Sequence, residues 1–199
     1  MKTILLFAEM VLAVTCAWGA EKILIAENFD GSAVNWGTGR GERGGSISQS
    51  EVRSGIGTDG SAAIVWSYDF SMDQPAGNTY VRLRPLLDLP GKPVRFTFRL
   101  KGDNSGLPFG YRLRDASGRI WQFGICKIDF DGWKEFELTI KPDSGFSWGG
   151  TVRPDKGFSF PLRFEEFLLD YTRPAHRTRG ELQLDDLHFY GESLEQENF

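Results

Sequence analysis

The chain has 199 residues and is poor in cysteine, histidine and methionine, with two, two and three of each. Two cysteines, Cys16 and Cys126, cannot build a disulfide scaffold, and neither stands in a C-x-x-C zinc pattern. His176 and His188 have no metal-ligand spacing to each other or to a cysteine, which leaves no catalytic zinc motif. Basic charge is also short. The 23 Lys+Arg stand against 27 Asp+Glu, a net charge of −4. Gripping a phosphate backbone needs a basic face, so nucleic acid is not an expected partner. Beyond residue 20 no apolar run approaches the roughly 18 residues of a membrane span. Helical periodicity of useful length is missing as well. What is abundant is glycine, at 24, and aromatic residues: 16 Phe, 6 Trp and 5 Tyr. With 40% hydrophobic residues the chain has enough apolar surface for one well-packed domain.

Residues 1–20 have the layout of a secretory signal. Lys2 is basic, residues 4–14 are largely apolar, and Ala17-Trp18-Gly19-Ala20 supplies small residues before a cleavage point. Glu9 interrupts the apolar run, and a buried first helix is the competing reading. The expectation is a mature chain beginning near Glu21 and a secreted or periplasmic location. Cys126 is then alone within an apolar run, where a thiol is a small core residue rather than a nucleophile.

The remainder alternates short β-rich runs with Gly, Pro, Asn and Asp punctuation, which predicts an all-β domain over residues 21–191 and a polar tail over 192–199. Strands are predicted at 22–27, 46–51, 62–68, 79–83, 94–101, 109–114, 119–125, 134–140, 165–171 and 181–190. Asp115-Ala116-Ser117-Gly118 is a hairpin signal, because glycine takes the left-handed conformation such a turn requires. Alternation sorts the faces. Phe96, Phe98 and Leu100 oppose Thr97, Arg99 and Lys101; Tyr111 and Leu113 oppose Arg112 and Arg114. Two sheets with one apolar face each pack as a sandwich, and this strand number favours a two-sheet jelly roll over an immunoglobulin-like domain.

Two motif matches lack the context that gives them chemistry. Gly39-Arg40-Gly41-Glu42-Arg43-Gly44 fits G-x-G-x-x-G, but no helix follows to meet a phosphate. Gly145-Phe146-Ser147-Trp148-Gly149 fits G-x-S-x-G, with Asp170 and His188 after it, but a nucleophile elbow also needs a following helix. Paired carboxylates for glycoside hydrolysis have candidates in Glu135, Glu137, Glu166 and Asp170.

Three segments carry a resemblance: Ile25-Ala26-Glu27-Asn28-Phe29-Asp30-Gly31, Asp131-Gly132-Trp133-Lys134-Glu135-Phe136, and Leu182-Gln183-Leu184-Asp185-Asp186-Leu187-His188-Phe189. Together they resemble the galactose-binding-like jelly roll of bacterial carbohydrate-binding modules, including the family 11 type. The resemblance implies a β-sandwich that binds polysaccharide or oligosaccharide on a concave sheet face or at loop tips. It also implies a structural Ca²⁺ joining the first strand to the last, with Asp30, Asp185 and Asp186 as the matching acids. Such modules are usually attached to a catalytic domain; the expectation here is a sandwich without one.

A sugar site needs an exposed aromatic platform beside planar hydrogen-bonding groups. Trp36 and Trp148, in the long loops 32–45 and 141–161, are the best platform candidates. Trp66 and Tyr68 share a face that is either core or concave. Trp121 alternates into the core. Arg99, Arg112, Arg114 and Gln122 would form a polar patch if their strands are neighbours, with Asp170 at its border. Arginine can bond vicinal hydroxyls and can pair with uronic carboxylates. The expected function is non-catalytic carbohydrate binding. The alternatives are a protein-assembly or envelope-associated module with a protein partner, and a glycan-active hydrolase.

Overall fold

The computed structural model describes residues 21–31, 35–40, 46–71, 80–171 and 175–192. Residues 1–20, expected to be a signal, residues 193–199 of the expected tail and most of the G-x-G-x-x-G match lie outside them. In chain order the strands are β1 (Lys22–Glu27), β2 (Gly37–Arg40), β3 (Ile47–Arg53), β4 (Ala63–Asp69), β5 (Tyr80–Arg84), β6 (Leu87–Leu89), β7 (Lys92–Asp103), β8 (Pro108–Asp115), β9 (Arg119–Lys127), β10 (Asp131–Thr139), β11 (Phe146–Gly149), β12 (Leu162–Asp170) and β13 (Arg179–Glu192). Among the described residues the only helical pieces are two single 3-10 turns, Pro142–Ser144 and Pro154–Lys156.

The strands form two antiparallel sheets. The first runs β10-β7-β13-β4-β3, with β1 also on β13; the second runs β11-β9-β8-β12-β5-β2, with β6 also on β12. The chain is a two-sheet jelly-roll β-sandwich. All ten strands expected from alternation are present; three have the expected length and the other seven are longer by one to four residues. β2, β6 and β11 were not expected. β2 and β11 are short and contain glycine, and their extension is set by pairing, Gly39 with Arg82 and Phe146 with Gln122.

The core lies between the sheets. Phe96 and Phe98 of β7 meet Tyr111 and Phe109 of β8 at ring distances of 4.9 and 6.1 Å. Phe164 and Phe167 of β12 pack against the same pair. Each such burial contributes roughly 1.5–3 kcal/mol, so most of the aromatic excess is structural. Cys126 is half-buried, and burial pushes its thiol up to about 11, which leaves little thiolate at neutral pH.

The β8–β9 hairpin turns where the sequence marks it. Asp115 Oδ1 accepts from the Ser117 N–H, the Ser117 hydroxyl and the Arg119 N–H at 2.9, 2.6 and 3.1 Å. Its Oδ2 accepts from Trp121 Nε1 at 2.9 Å, and Gly118 takes φ +82°. Burial alone would raise this carboxyl, but these donors outweigh burial and hold it below the usual carboxylate range.

Candidate functional site

The outer face of the second sheet gathers the mixed polar and aromatic residues. Outward positions on β8 and β12 carry Arg112, Arg114, Glu165 and Glu166. β5 adds Tyr80, Arg82 and Arg84, opposite the inward Val81 and Leu83. On β9, Gln122 points outward between the buried Trp121 and Phe123. β11 pairs with β9 and brings Phe146 beside Gln122 and Trp148 beside Ile120.

Trp148 and Phe146 are stacked, 5.5 Å apart and 27° between planes, and they are 40% and 60% exposed. The Arg112 guanidinium carbon lies 5.2 Å from the Trp148 ring and 4.9 Å from the Tyr80 ring, a cation–π bridge between two aromatic groups. Arg112 Nε donates to Gln122 Oε1 and its Nη1 to Glu166 Oε1, both at 2.7 Å. Glu166 Oε2 lies 3.1 Å from Arg84 Nε and 3.7 Å from Arg82 Nη1. Glu165 Oε1 accepts from Arg114 Nε at 2.6 Å. Asp170 faces the same side, paired with Tyr80. Burial raises its carboxyl, against the pull of Arg112.

The floor of this face is open at one glycine. Gly110 of β8 pairs with Gly124 of β9 on one side and with Leu168 of β12 on the other. Space above Gly124 is open: a Cβ there would have no neighbour within 4 Å. Gly110 itself is buried, and a Cβ there would meet the Phe123 carbonyl oxygen at 2.4 Å, so the open position is Gly124, on the same strand as Gln122.

Arg112, Gln122, Trp148 and Asp170 thus share one face, and four other candidates lie elsewhere. Trp36 is in the core, with its ring edge-on to Phe29 at 5.3 Å; a large indole finds more apolar contact there than on the surface. Trp66 and Tyr68 resolve as core: the Trp66 Nε1 donates to Ser48 Oγ at 2.9 Å and the Tyr68 hydroxyl to Asp103 Oδ2 at 2.6 Å. With their polar ends satisfied, both rings can be buried. Arg99 is on β7 of the first sheet, on the opposite outer face, 3.3 Å from Asp186. Alternation gave its face within its strand correctly, but β7 and β8 belong to different sheets. Tyr80, Arg82 and Arg84 were missed as site residues, although their alternation with Val81 and Leu83 is a readable signal.

The hydrolase-like order does not assemble. Ser147 is on β11 of the second sheet and His188 on β13 of the first. Glu135 and Glu137 belong to β10, also in the first sheet.

Two of the acids matched to a cation site converge on one loop. Asp30 Oδ1 accepts from the Ala62 N–H at 2.8 Å. The fully buried Asp185 accepts at Oδ2 from the Thr58 N–H and hydroxyl, at 2.9 and 3.1 Å. A side chain at Gly57 would press on Ser61 Oγ, Asp185 Oδ2 and the Ala62 carbonyl together. These are all oxygen donors, the chemistry that suits a hard cation. Asp186 is turned away, toward Arg99; burial and the neighbouring Asp185 charge raise its carboxyl. Among the described residues no three acidic, histidine or cysteine side chains cluster as a metal centre.

No protein-family model matches the chain, and no curated protein matches it. Solved structures do. The family 11 carbohydrate-binding module from Clostridium thermocellum, in complex with a β-1,3-1,4-mixed-linked tetrasaccharide, superposes with a TM-score of 0.53 at 19% identity, covering 87% of this chain and 96% of that one. The family 11 module of a cellulosomal cellulase of the same organism gives 0.53 at 18%, covering 87% and 95%. A structure of carbohydrate-binding modules from the β-sandwich superfamily gives 0.51 at 14%, covering 83% and 60%. The chain therefore has the β-sandwich fold of the carbohydrate-binding-module type.

Proposed function

We propose that this protein binds carbohydrate without catalysis, on the outer face of the second sheet. The observation that carries the reading is the exposed Phe146–Trp148 stack joined through Arg112 to Tyr80. Sugar rings present apolar C–H faces and hydroxyl rims, and an aromatic platform flanked by planar donors complements both. The open position at Gly124, on the same strand as Gln122, leaves room for a sugar ring. The carbohydrate-binding modules of the same fold add to this reading. Glu165 and Glu166 are engaged by arginines, which favours positioning over proton transfer. Secretion or periplasmic export, directed by residues 1–20, places such a binder where polysaccharides are met.

As a second part of the proposal, Asp30 and Asp185, with the Ala62 carbonyl and the Ser61 hydroxyl, would hold a structural Ca²⁺. Bound there, the ion would supply charge compensation between the end of β1, the 57–62 loop and β13.

The test is nuclear magnetic resonance of the tryptophan indoles during titration with an oligosaccharide panel. The Trp148 signal should move while those of the buried Trp66 and Trp121 stay. Movement of no indole with any sugar would overturn the reading.

A further inference from the structure

We propose that the glycan bound on this face is acidic, and that its uronate carboxylates are met by a layer of guanidinium groups; this rests on the glycan-binding reading above. Arg82 and Arg84 of β5 and Arg112 and Arg114 of β8 flank β12, which supplies Glu165 and Glu166. The two glutamate side chains are only 6% and 3% exposed, while the arginines range from 14% at Arg112 to 42% at Arg114. The carboxylates form a floor and the guanidiniums lie above it. A ligand approaching this face meets positive groups first.

The charges do not balance within the network, which sets four cations against two anions. The third acid on the face, Asp170, has its carboxyl raised by burial against the pull of Arg112; counted as ionised, it still leaves four cations against three anions. Arg163, further along β12, adds no excess, because Asp88 lies 2.6 Å from it.

Donors outnumber acceptors in the same way. Each guanidinium carries five N–H groups and no acceptor. Both oxygens of Glu166 are engaged by Arg112, Arg84 and Arg82, and Gln122 Oε1 is taken by Arg112. Arg82 Nε is buried without an acceptor. Among the described residues, the Nη2 groups of Arg112 and Arg114 make no hydrogen bond. A neutral sugar hydroxyl both donates and accepts, so it would use this face only in part. An ionised carboxylate only accepts, and its planar pair of oxygens matches the guanidinium fork. The chain as a whole has net charge −4, so attraction of a polyanion must come from this local layer rather than from general charge.

The test is affinity electrophoresis of the full chain through gels containing polygalacturonate, carboxyl-reduced polygalacturonate, a neutral mixed-linked β-glucan, or a sulfated glycan. Retardation should be about tenfold stronger on polygalacturonate than on its carboxyl-reduced form, and should weaken with added salt. Arg82→Gln and Arg114→Gln should each weaken it severalfold. Equal retardation on the reduced polymer, or retardation by the neutral glucan alone, would overturn the acidic assignment and leave glycan binding standing. Preference for the sulfated glycan over polygalacturonate would overturn the carboxylate assignment. Retardation by none of the four would remove both readings.

Discussion

The guanidinium carbon of Arg112 sits 5.2 Å from the Trp148 ring, with the Tyr80 ring 4.9 Å away. Arg112 is fixed by Gln122 and Glu166 as well, so it presents its remaining N–H groups in one orientation. Lysine cannot reproduce this, because an ammonium has no planar fork. Arg112→Lys should therefore weaken glycan association by about tenfold, the equivalent of one charge-assisted hydrogen bond. Isothermal titration with the best-retained oligosaccharide measures this.

Gly124 offers a test of the binding face that leaves the charges in place. Its Cβ position is open, and the residue is exposed. Gly124→Leu should fill the open position beside Gln122 on β9 without pressing on the fold. The expected outcome is loss of glycan retention with a melting temperature within a few degrees of wild type.

Asp115 should matter to stability and not to binding. Removing its carboxylate leaves the Trp121 Nε1–H and the turn N–H groups without their acceptor. Asp115→Ala should cost about 1–3 kcal/mol in denaturant unfolding. The carboxyl is held below its unfolded value of about 3.9, so its stabilisation is present above that pH and is lost as pH falls through the lower folded value. The gap between wild type and Asp115→Ala should persist at neutral pH and narrow below about pH 4.

Calcium should raise the melting temperature if Asp30 and Asp185 hold it, since a ligand bound only to the native state adds stability. Addition of a chelator should lower the transition, and Asp30→Asn should abolish that response. A transition unmoved by either calcium or chelator would remove the ion.

Much of the fold was legible because alternation is a local property. Phe96-Thr97-Phe98-Arg99 reads inward and outward without any knowledge of its partner strand. Which sheet a strand joins is not local. Arg99 and Arg112 have the same alternation and the same chemistry, yet they face opposite sides of the molecule. Nor does a glycine-rich or loop-like segment announce its burial. Trp36 and Trp148 looked alike in sequence, and pairing of β11 with β9 raised Trp148 onto the surface while contact with Phe29 drew Trp36 inside. Among the described residues the aromatic excess therefore divides into a buried or half-buried majority and three exposed rings, Phe146, Trp148 and Phe160, of which the first two stack on each other.

The most direct test of the central claim compares wild type with Trp148→Ala in gels carrying a polysaccharide panel, with thermal unfolding measured alongside. The account predicts that the wild type is retarded by at least one polysaccharide, and that Trp148→Ala migrates as in a gel without polysaccharide while melting near the wild-type temperature. Equal retardation of the two proteins, or no retardation of the wild type by any polysaccharide, would contradict it.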